Sequence, residues 1–76
     1  MRRLGKVLHT SRRGHIILRT DKTPPVGAEV VDKNVDVVGT VADVFGPVKL
    51  PYVSVRVKEG VDATKLMGQP LYLYKT

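Results

Sequence analysis

Helical signal in this chain is confined to one stretch of seven residues, Asp62-Ala63-Thr64-Lys65-Leu66-Met67-Gly68. Asp62 can cap its start and Gly68 can take the left-handed conformation that ends it, which allows one or two turns and no more. Everything else is written in short β-prone runs, broken roughly every 8–12 residues by Gly, Pro or polar clusters, the spacing of small sandwiches and barrels. The runs are Arg3–His9, His15–Thr20, Ala28–Val31, Val35–Phe45, Tyr52–Val57 and Pro70–Lys75. Alternation marks the inner faces: Val53, Val55 and Val57 against Tyr52, Ser54 and Arg56; Ile16 and Leu18 against His15, Ile17 and Arg19; Leu71 and Leu73 against Tyr72 and Tyr74. Gly5 predicts a bulge in the first run, and Gly39 predicts the sharp coil that turns a barrel corner. Asp21–Gly27 contains consecutive prolines and reads as a loop. The 76 residues suffice for one small domain over 1–76, and closing the sheet removes its free edges. The expected fold is all-β: a small closed barrel of six or seven strands, of the translation-protein/reductase-like kind, with one short helical turn.

Composition excludes several functions. Cysteine is absent, so disulfides, thiol catalysis and cysteine-ligated zinc fall away. No run approaches the roughly 20 apolar residues of a membrane helix. The basic N-terminus lacks the apolar stretch of a signal peptide, so a soluble protein without a membrane partner is expected. Ser11 and Ser54 have no local base to activate them, and the acids stand singly in turns and strand ends. His9 and His15 flank the first turn and could face each other across a hairpin, but no third ligand lies nearby in sequence. Neither an enzyme, nor a metal site, nor a cofactor is expected.

The charge is one-sided. Residues 1–22 hold seven of the basic residues (Arg2, Arg3, Lys6, Arg12, Arg13, Arg19 and Lys22) against one acid, Asp21, so the whole net charge of +6 sits there. Residues 23–76 hold six bases and six acids. Such a face suits a polyanion or an acidic protein surface, and Arg2, Arg3, Arg12, Arg13 and Arg19 are the candidate contacts. Arg12 and Arg13, at the tip of the first hairpin, are expected to speed association more than they tighten it. A stand-alone RNA-binding barrel of the OB or SH3-like sort would also need stacking aromatics, and this basic hairpin contains none.

Two of the four aromatic residues, Phe45 and Tyr52, lie instead in one apolar turn, VFGPVKLPYVSV over 44–55. A hairpin needs Gly, Asn or Asp to turn, not Phe or Tyr. These rings are therefore either an end plug of the core or a contact surface; alternation pushes Tyr52 outward and leaves Phe45 free to go either way. Pro47 and Pro51 stiffen the connection, which lowers the ordering cost of binding there.

Gly39-Thr40-Val41-Ala42-Asp43-Val44-Phe45-Gly46-Pro47 followed by Pro51-Tyr52-Val53-Ser54-Val55 resembles the barrel core of the GAR-type subunit of H/ACA ribonucleoproteins. The shared pattern is a glycine, an acid two before Phe-Gly-Pro, then Pro-Tyr and an alternating strand. The absence of Gly/Arg-rich tails resembles the archaeal form, whose place would be the cytoplasm (the nucleolus in a eukaryote). The resemblance implies a non-catalytic subunit of the pseudouridylation particle that serves rRNA and ribosome biogenesis. It would dock on the catalytic pseudouridine synthase, aid substrate loading and product release through a mobile loop, and meet the guide RNA and other particle proteins mostly indirectly. It places the partner-binding site at Val44, Phe45, Gly46, Pro47, Val48, Pro51, Tyr52 and Val53. Where the family often has a polar residue after the proline, this chain has Val48-Lys49-Leu50.

Overall fold

The computed structural model describes residues 2–11 and 14–74. Six strands form in chain order: β1 (Arg2–Thr10), β2 (His15–Arg19), β3 (Glu29–Val31), β4 (Val37–Phe45), β5 (Tyr52–Val57) and β6 (Pro70–Leu73). They close into a barrel in the order β1-β2-β5-β4-β3-β6, every neighbouring pair antiparallel. The all-β barrel with one short helical turn is therefore present, with six strands.

The alternating runs point where their pattern says. Ile16 and Leu18, Val53 and Val55, and Leu71 and Leu73 are fully buried, and Leu4, Val7, Val38 and Val41 complete the wall from β1 and β4. Each such side chain contributes about 1.5–3 kcal/mol on burial, which is how so short a chain sustains a core. β3 breaks the alternation: Val30 and Val31 are both buried, at a register shift against β4. A bulge lets successive residues face the same way. Leu66 enters the core from a 3-10 turn over Ala63–Leu66, capped by the Asp62 carboxylate, which accepts from the Thr64 N–H at 3.0 Å. Gly68 follows with φ +75, as the C-terminal signal requires.

Gly39 sits where β4 passes close to β5. A side chain there would begin 2.1 Å from the Arg56 carbonyl oxygen, so only glycine allows this corner. Gly5 coincides with the register shift between β1 and β6, as a bulge requires.

Three details depart from the sequence reading. β4 begins at Val37 rather than Val35, because Val35 adopts φ +66 within the preceding turn. The sequence pattern extends the last strand through Tyr74 and Lys75; β6 ends at Leu73, and Lys75 lies outside the described residues. The histidines do not form a cross-strand pair: a register shift between Val7 and His9 sets His9 opposite Ile17, while His15 stands opposite Arg56.

Candidate functional site

β4 and β5 are joined by residues 46–51, and the last pair of their ladder is Phe45 opposite Tyr52. The two rings stack with centroids 5.7 Å apart and planes 24° from parallel. Phe45 points outward and stays 45% exposed, which decides its orientation. Gly46 makes the stack possible. It has φ +94, and a Cβ there would lie 2.8 Å from Cδ2 of Tyr52, inside the ring's own space.

Beyond the stack the connection is apolar and outward. Val48 is 94% exposed and Leu50 45%, with Pro47 and Lys49 exposed beside them. Pro51 is buried, and its carbonyl accepts from the Thr20 N–H at 3.0 Å, tying the turn to the end of β2. Asp43, the acid of the motif, accepts from the Val44 N–H at 2.8 Å. It braces the strand next to a register shift between Val41 and Asp43.

The structure thus divides the eight residues implied by the resemblance. Phe45, Gly46, Pro47 and Val48 are exposed, and Tyr52 is half-buried beneath Phe45. Val44 is half-buried and packs against the core. Val53 is wholly inside the barrel and Pro51 is buried. These two hold the turn from within, behind its exposed face.

The basic residues separate too. Arg19 lies opposite Tyr52 across the β2–β5 ladder, with its guanidinium carbon 5.2 Å from the ring centroid. Such a contact is worth about 0.5–1 kcal/mol at an exposed site. Arg19 therefore belongs to the aromatic turn as well as to the basic face. Sequence reasoning missed this because nothing in the chain order says that β2 neighbours β5. Arg3 is exposed opposite Tyr72, whereas Arg2 is half-buried, with Nη2 out of contact with solvent. Arg12 and Arg13 lie outside the described residues.

A surface cavity of about 770 Å³ is at the other end of β4 and β5, lined by Glu29, Thr40, Arg56, Lys58 and Glu59 among others. Its charges are mixed in sign and it contains none of the turn residues, so size alone does not make it the site. Among the described residues no three His, Asp or Glu side chains gather in a way that could hold a metal.

A closed barrel that holds a pre-stacked aromatic pair and an exposed apolar turn is, as a class, a binding module. The family model described as "Gar1/Naf1 RNA binding region" matches residues 1–76, and the chain belongs to that family. Membership in this non-catalytic accessory family supports an RNA-binding, H/ACA-associated role. The chain is 36% identical over 76 residues to an uncharacterized protein of Methanothermobacter thermautotrophicus, covering 96% of this chain and 83% of the relative. It is also 36% identical over 50 residues to an uncharacterized protein of Methanocaldococcus jannaschii, covering 66% of this chain and 60% of the relative. Both are archaeal.

Proposed function

We propose that this chain is the accessory barrel of an H/ACA-type particle and docks on its pseudouridine synthase through the β4–β5 turn. The observation that carries the reading is the turn itself. Phe45, Val48 and Leu50 present apolar surface to water although the barrel core is complete without them. Exposed apolar groups gathered on one rigid connection are characteristic of a surface used by a partner. Tyr52 and Gly46 fix the Phe45 ring in place before binding, so little side-chain entropy remains to be lost.

On this reading the barrel supplies no reacting group. It stabilises one position of a mobile segment of the synthase against its own rigid turn, and so favours substrate loading and product release. Contact with guide RNA and the other particle proteins is mostly indirect, and the setting is the archaeal cytoplasm.

The test is a titration against the synthase without RNA, and separately against guide RNA without protein, each at low and high salt. Synthase binding that tolerates salt and weakens by about 2 kcal/mol or more in Phe45→Ala supports the reading, as expected of a central anchor. Salt-sensitive binding to RNA alone, with no affinity for the synthase, overturns it in favour of a stand-alone RNA-binding barrel.

A further inference from the structure

The outward side chains of four neighbouring strands form a row across the barrel. Tyr52 of β5 stands between Phe45 of β4 and Arg19 of β2. Continuing the Val7–Leu18 pair by one position in each strand sets Lys6 of β1 opposite Arg19. Both are exposed, and like charges facing each other on a sheet repel. Arg3 joins them around a recess of about 370 Å³, whose lining also includes Gly5, Thr20 and Asp21. Gly5 lets β1 come this close to β2: a Cβ there would start 2.1 Å from the Arg19 carbonyl oxygen. Three basic residues therefore line one recess with a single acid, an excess of positive charge that a bound anion would offset.

We infer that this recess binds a phosphate of a single-stranded RNA lying beside the β4–β5 turn. A guanidinium fork matches phosphate oxygens two at a time, and two of the three cations are arginines. Next along the row, Arg19 and Phe45 cover the Tyr52 ring, and Phe45, 45% exposed, offers a flat aromatic face to a base. That combination holds single strands by neutralising the backbone and stacking the bases. An acidic peptide would satisfy the charge but would make no use of the rings. The basic segment has no aromatic residue of its own and gains aromatic neighbours through the β2–β5 pairing.

Arg3→Gln and Lys6→Gln, made in the intact chain, test the site by titration with a labelled oligouridylate over a range of salt. Each should lower affinity about tenfold at low salt. Each should also flatten the salt dependence by about 0.7 in log–log slope per lost contact. Lys6→Arg should retain binding, and Arg56→Gln, at the far end of β5, should cost far less. Equal losses from Arg56→Gln and Lys6→Gln would mean diffuse attraction and overturn the proposal. So would a polyglutamate of the same length that binds as tightly, or no binding of oligouridylate at all. Neither Arg3 nor Lys6 belongs to the docking turn, so synthase affinity measured on the same variants reports separately on the reading proposed above.

Discussion

β4 is entered through one turn and left through another, and the two differ in what they do with their polar and apolar groups. The entering turn, Asp32 to Asp36, satisfies itself. The Asp32 carboxylate accepts from the N–H groups of Asn34 and Asp36, at 2.9 and 3.0 Å. Backbone bonds run from Val35 N–H to the Asp32 carbonyl and from Asp32 N–H to the Asp36 carbonyl. The leaving turn, 46–51, contains two residues without an N–H, and among the described residues no backbone bond joins its members to one another. It is held instead by Pro51 against β2 and by the Tyr52 ring under Gly46, and it turns Val48 and Leu50 to solvent. A turn that only reverses the chain uses its polar groups on itself. One that serves as a surface is fixed from behind and keeps its front free.

The comparison can be broken by substitution. Phe45→Ala carries the largest expected effect. Synthase affinity should fall by about 2 kcal/mol or more while unfolding stability changes by about 1 kcal/mol or less, since the ring is half outside the fold. Equal losses in both would make Phe45 a core plug and the two turns equivalent.

Gly46→Ala comes next, at about 1–2 kcal/mol of stability for the left-handed backbone alone. The added methyl would also displace the Tyr52 ring, so near-ultraviolet circular dichroism should change along with the denaturation midpoint. An unchanged spectrum would mean that the stack does not depend on Gly46.

Val35→Asn should act in the opposite direction. Val35 is a β-branched residue at φ +66 in the self-satisfied turn, and asparagine tolerates that conformation better. A gain of about 1 kcal/mol in chemical denaturation is expected, with synthase and RNA affinities unaltered. Loss of affinity would show that the entering turn is a surface as well.

The smallest effect concerns the 3-10 turn, a second self-satisfied connection. The Thr64 hydroxyl and then the Thr64 N–H donate to the Asp62 carboxylate and hold its pKa below the ordinary 3.8, with Lys65 assisting. A carboxyl depressed in the folded state contributes stability that is complete above the unfolded value and is lost as pH falls through the lower folded one. The difference in melting temperature between the native chain and Asp62→Ala should therefore be constant above pH 3.8 and shrink below it. A difference independent of pH would assign the cap no charge-dependent role.

Much of this was legible in the residues because it is local. Alternation within Tyr52–Val57 named Val53 and Val55 as core and turned Tyr52 outward, and the Asp62–Gly68 pattern located the 3-10 turn and its cap. The Phe-Gly-Pro turn was recognisable because a hairpin does not need rings. Other features were not legible. His9 and His15 fall on different rungs of the β1–β2 ladder, a placement set by the register of the hairpin and by the bulge between Val7 and His9. Val35 reads as a strand residue by type, yet the hydrogen bonds of Asp32 and Asp36 hold it in the turn.

Strand and turn character, the apolar side of most strands and the position of the aromatic turn can all be read along the chain. These follow from side-chain spacing and turn chemistry, which act over a few residues. Barrel closure, by contrast, sets β2 between β1 and β5, so that Arg19 covers Tyr52 and shares a recess with Arg3 and Lys6. Neighbours distant in sequence are selected by the one closure that buries Ile16, Leu18, Val53, Val55, Leu71 and Leu73 at once, and no local pattern encodes that choice.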